Sequence, residues 1–90
     1  MSTLLVGYDL NQPGQDYTSL IETLKKVGAW WHYLDSMWLV KTSLTPIELR
    51  DKLSAVLDSS DELVVLDVTS RTWAATGLPK RAYDWLHTNL

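Results

Sequence analysis

The chain has 90 residues, five Trp, four Tyr, no Phe and no Cys, and a formal net charge of −3. A chain this short forms one domain with one small core, burying roughly 60–65% of its extended surface. The missing cysteines exclude disulfides, thiolate catalysis and Cys-based zinc sites, and the net negative charge disfavours strong, sequence-independent binding to nucleic acid.

"TLLVGYD" at residues 3–9 predicts a first strand, with Leu4, Val6 and Tyr8 on one face and Leu5, Gly7 and Asp9 on the other. "NQPGQ" breaks it through Pro13 and Gly14. Asp16 is the expected cap of a first helix that aligns Tyr17, Leu20, Ile21, Leu24 and Val27, sets Glu22 four residues before Lys26, and ends at Gly28.

"AWWHYL" and "MWLVKT" then read as a β-hairpin turning at Asp35-Ser36. A second helix follows from the capping box of Thr45 and Glu48, with Pro46 at its first position and Leu44 stapling to Leu49. Leu49, Leu53, Val56 and Leu57 form its apolar stripe, and "LVVLDV" at 63–68 is the fourth strand. In the tail, a short strand is expected around Arg71–Ala74, then a short helix started by Pro79 with Ala82, Trp85 and Leu86 inward.

The order β-α-β-β-α-β specifies an α+β, ferredoxin-like two-layer sandwich: a four-stranded antiparallel sheet ordered 4-1-3-2, both helices on one face. Residues 1–68 make this core and 69–90 a C-terminal extension with a short helix. Both sheet faces are apolar, as Trp30 against Trp31, Trp38 against Leu39 and Val64 against Val65 show. A homodimer packed sheet to sheet or edge to edge is therefore expected, the alternative being that residues 69–90 cover their own sheet.

Asp9 closes an apolar strand, so its carboxylate needs water, hydrogen bonds or a cation. An Asx turn onto Asn11 or Gln12 is one solution, and Mg²⁺ is the other. Asp67 belongs at the opposite rim, whereas Asp61 and Glu62 lie at the Asp9 end; a two-fold dimer would also bring two Asp9 side chains together. Candidate ligand-binding residues are Trp30 and Trp38 for stacking, with Lys41, Arg71, Lys80 and Arg81 as the cations.

No phosphate loop forms around Gly7, Gly14, Gly28 or Gly77, no HExxH or GxSxG occurs, and no organic cofactor motif is present. His32 reads as a strand hydrogen-bonder and His87 as a residue near the terminus. The start lacks a basic region and no run of about 18 apolar residues occurs, so a cytoplasmic protein without a membrane partner is expected.

With "VGYD" closing the first strand and "LDSMWLV" in the hairpin, the plan resembles the CRISPR-associated endoribonuclease (Cas-two) family. The run "LLVGYDLNQPGQDYTSLIETLKKVGAWWHYLDSMWLVKT", with "ELVVLDVTSRTWA", more closely resembles the SinR-like proteins related to that family. The Cas-two resemblance implies a homodimer in which Asp9 binds a metal at the two-fold axis, and either a metal-dependent nuclease or a structural subunit that holds DNA. "SMW" at 36–38 matches the family's serine-x-aromatic segment, but its arginine-rich first helix has only Lys25 and Lys26 as counterparts here. Three functions are thus expected to compete: a non-catalytic homodimer binding nucleic acid or a nucleotide-like ligand, an Mg²⁺-dependent nuclease or phosphodiesterase using Asp9, and a protein-interaction component of a defence, counter-defence or toxin–antitoxin system.

Overall fold

The computed structural model describes residues 1–11 and 17–90. Its elements run β1 (Ser2–Asp9), α1 (Thr18–Lys26), β2 (Ala29–Leu34), β3 (Met37–Thr42), α2 (Pro46–Ser54), β4 (Glu62–Asp67) and α3 (Lys80–Asn89). The strands form one antiparallel sheet in the order β2-β3-β1-β4, with β1 and β3 central and β2 and β4 at the edges. This is the ferredoxin-like α+β arrangement, with a third helix added at the C-terminus.

Strand alternation builds two cores on opposite faces of the sheet. Leu4, Val6, Trp38 and Val40 pack against Leu20 and Leu24 of α1 and Leu49 and Leu53 of α2, all of them buried. Helix α2 is held at its start by the complete capping box: the Glu48 amide donates to Thr45 Oγ1 (3.1 Å) and the Thr45 amide to Glu48 Oε1 (2.9 Å). The expected cap of α1, Asp16, lies outside the described residues, and Tyr17 occupies the N-cap position.

On the other face, Trp31 and Leu39 bury against Ala82 and Leu86, with Leu5, Trp73, Leu78 and Trp85 packed around them. The chain's own extension therefore covers the β2–β3 part of the second face. Polar bonds pin it there. Trp31 Nε1 donates to the Ala82 carbonyl (3.2 Å), the Thr3 hydroxyl donates to the Asn89 carbonyl, and the Thr3 amide donates to Thr69 Oγ1 (2.9 Å). Residues 71–76 pair with no strand among the described residues, so the short strand expected at 71–74 does not form.

The cover stops short of β4. Val64 and Leu66 stay 50% and 49% exposed on the α3-side face. They share that face with Gly7 and Asp9 of β1 and Glu62 of β4, through the pairs Leu5↔Leu66, Gly7↔Val64 and Asp9↔Glu62.

Helix α1 ends on Lys26 with Val27 as C-cap, so Gly28 stands just past the helix end as the sequence suggests, but without the positive φ of a left-handed cap. Gly28 instead passes against β3, where an added Cβ would lie 1.9 Å from the Lys41 carbonyl oxygen. Gly77 owes its identity to a different cause: its φ is +77°, with open space around the Cβ position. Gly28→Ala should accordingly destabilise the fold by about 3 kcal/mol or more, because strand backbone must move, and Gly77→Ala by about 1 kcal/mol from backbone strain. Urea denaturation of both variants checks the order; equal losses would mean that the Gly28 contact relaxes at little cost.

Candidate functional site

Asp9 ends β1 directly across from Glu62, both side chains exposed on the α3-side face. Two carboxylates at directly opposed sheet positions repel each other. Gly7 and Val64 sit one step further along the same two strands, and with Asp9 and Glu62 they line a shallow hollow. An Asx turn from Asp9 onto Asn11 is not what forms: the Asn11 amide donates instead to Asp61 Oδ1 (2.7 Å). Gln12, the other expected partner, lies outside the described residues.

Asp61 is consumed by the fold. Its Oδ1 also accepts from the Tyr17 hydroxyl (2.8 Å), and its Oδ2 accepts from the Asp58 amide (2.9 Å). It thereby ties the α2–β4 loop to the end of β1 and the start of α1. Glu62 remains partly free, receiving one longer bond from Asn11 Nδ2 (3.3 Å). Of the two acids expected near Asp9, the sheet register thus delivers Glu62 alone.

Asp67 lies at the far end of the sheet, across from Leu4. Its carboxylate accepts from the Thr69 hydroxyl (2.6 Å) and amide (3.0 Å). Those bonds, with smaller contributions from Ser2 and the Arg71 charge, hold it below the ordinary carboxylate range.

The Asp9–Glu62 oxygens suit a hard divalent cation, which needs only one or two protein carboxylates when water or phosphate completes its shell. Among the described residues, no group of three or more His, Cys, Asp or Glu converges within one chain. Both histidines are engaged with tryptophans. The His32 ring stacks on Trp38 at 4.0 Å and 13° while its Nε2 meets the Asp35 carbonyl (3.2 Å), and His87 lies edge-on to Trp73 at 5.1 Å.

The candidate binding residues separate onto different surfaces. Trp38 is 1% exposed and donates to the Tyr8 hydroxyl (3.0 Å), so it is a core residue whose face is closed to a ligand. Trp30 is 42% exposed at the β2 edge, with the Lys25 ammonium 5.1 Å from its ring. Lys41 is half-buried on β3, Lys80 is bound to Asp84 (2.9 Å), and Arg81 sits over Tyr33 at 5.9 Å.

Arg71 lines a groove of about 470 Å³ between the extended segment 71–78 and the sheet. Sequence reasoning missed the groove, together with the part played by Trp31 and Trp73 in walling it. The available signal was the alternation that sends Trp30 and Trp31 to opposite faces, combined with the apolar spacing in the tail.

For Asp61, desolvation raises the carboxyl pKa, but the bonds from Asn11, Tyr17 and Asp58 outweigh it and leave the group below its ordinary 3.8. A folded-state value below the unfolded one contributes stability above that range, lost as pH falls through the folded value. Asp61→Asn should therefore lower the melting temperature at about pH 7 and flatten its fall below about pH 4. Melting curves across the acid range check this, and an unchanged acid limb would remove Asp61 from the linkage.

No helix among the described residues is long and apolar enough to cross a membrane. No protein-family model matches the chain, and no solved structure matches it.

Proposed function

We propose that the protein is a non-catalytic, homodimeric binding module for nucleic acid or a nucleotide-like ligand. The observation that carries this reading is the half-exposed Val64–Leu66 strip on edge strand β4, which α3 leaves uncovered. A second copy is the natural cover for an apolar strip beside an open strand edge. The resemblance to SinR-like and Cas-two proteins supports the same arrangement.

The ligand class follows from charge. The extension 69–90 carries Arg71, Lys80 and Arg81 against Asp84 alone, while the remaining chain is strongly acidic. Pairing two copies doubles this basic surface, while Trp30, on the opposite face of the sheet with Lys25 and Trp38 against its ring, is a separate, part-exposed aromatic contact. Against catalysis stand the acids and imidazoles already committed to structure: Asp61, Asp67, His32 and His87.

Light scattering at micromolar concentration should give a dimer, converted to a monomer by Leu66→Lys. Single-stranded oligonucleotides should quench Trp fluorescence, with log affinity falling linearly with log salt and Arg81→Glu weakening binding. A wild-type monomer would refute the paired module, and no quenching at low salt would favour a protein partner instead.

The Asp9–Glu62 pair favours a second reading, an Mg²⁺-dependent nuclease or phosphodiesterase. The acids end the same face as the Val64–Leu66 strip, so a contact over that strip with the two β4 strands parallel would bring both copies' carboxylates to one border. A bound divalent cation would supply phosphate polarisation and water activation there. In this reading Mg²⁺ raises the melting temperature of the wild type, while Asp9→Asn melts higher than wild type without Mg²⁺ and gains nothing from it. Equal Mg²⁺ responses in both proteins would eliminate Asp9 as a ligand, and cleavage surviving in Asp9→Asn would eliminate it from chemistry.

A further inference from the structure

The groove beneath residues 71–78 shares no lining residue with the β4 strip or the Asp9–Glu62 pair, although its Leu5 lies directly across from Leu66. Leu5 and Leu39 of the sheet, Trp31 of β2, Trp73 of the extended segment and Leu86 of α3 wall it. At about 470 Å³ it falls within the range of small-molecule sites. Among its lining residues Arg71 is the one charged side chain, and Thr72 and Thr76 add the only side-chain hydroxyls.

We propose that this groove binds a small monocarboxylate with an apolar body, an alkyl carboxylic acid of medium length, whose head group pairs with Arg71. The apolar walls decide the body of the ligand. A nucleobase lodged there would find the Thr72 and Thr76 hydroxyls and Arg71 along one wall but none on the sheet side, and each ring nitrogen or exocyclic group left unsatisfied weakens binding substantially. Methylene groups meet no such penalty and gain from leaving water.

The head group is decided by Arg71. It is exposed, and among the described residues it forms no ion pair. The Arg71 charge acts weakly on Asp67, but that carboxylate already accepts two bonds from Thr69. A planar guanidinium is well matched to one carboxylate in bidentate geometry. One cation at the rim of an apolar groove selects a single negative charge joined to a hydrocarbon chain.

Trp31 and Trp73 make the site visible to fluorescence. Titration of the full chain with sodium hexanoate, octanoate, decanoate and dodecanoate, each below its micelle concentration, should give saturable binding. Affinity should rise roughly tenfold per two added methylenes until the groove is full. Decanol should bind at least about tenfold more weakly than decanoate, and Arg71→Gln should abolish that preference while keeping the chain-length dependence. Absence of saturable binding, as when a second copy fills the groove, overturns the proposal. So does binding that grows with chain length but ignores the head group in the wild type. Because the readouts are chain length and head group, failure here is distinguishable from failure of oligonucleotide binding or of dimer formation.

Discussion

The central constraint is that β1 and β3 are apolar on both faces and must be covered twice. Leu4 and Val6 alternate with Leu5, and Trp38 and Val40 alternate with Leu39, so no rotation of the strands hides all of them beneath one helical layer. A helix with its side chains is about 10 Å wide, whereas neighbouring strands lie about 4.8 Å apart, so one helix covers about two strands. Helices α1 and α2 together suffice for the four strands of the first face. A single α3 over β2 and β3 cannot reach β4, and the exposed Val64 and Leu66 are the geometric remainder.

That remainder explains why the extension is fastened so firmly where it does sit. Burying Leu86 and the Trp31 ring contributes roughly 1.5–3 kcal/mol each, but apolar contact is non-directional and does not fix the position of α3. Direction comes from the polar bonds. The Trp31 indole holds the first turn of the helix through Ala82, while Thr3, a buried residue in a central strand, reaches both Thr69 and Asn89. A slide of α3 toward β4 would break these bonds and leave the Thr3 hydroxyl and the Trp31 indole unsatisfied in an apolar layer.

Much of the fold was legible because its signals are local. Period-two alternation marked the strands, Thr45-Pro46-x-Glu48 marked the start of α2, and crossover handedness ordered the sheet as observed. The placement of residues 69–90 was less legible, since the spacing of Ala82, Trp85 and Leu86 reveals an apolar helix face but not whose sheet receives it. Gly28 was half legible for a related reason. Its place just past α1 is a local signal, whereas the constraint that demands glycine is the Lys41 carbonyl of a strand thirteen residues later.

At the candidate site, chemistry was legible and partnership was not. Asp9 stands out as an acid closing an apolar strand, and antiparallel order correctly consigns Asp67 to the other rim. Whether Asp61 or Glu62 would face Asp9 turns on a shift of one residue, and such a shift sends side chains to opposite faces. The register gives Asp61 to the Asn11–Tyr17–Asp58 clamp and Glu62 to Asp9. The clamp and the acid pair are therefore two consequences of one choice: once Asp61 is fastened, its neighbour must point to the α3-side face, and like charges accumulate at the end of the uncovered strip. Two like charges directly opposed at the end of a sheet pair are the local cost of that register, borne where both groups stay in water.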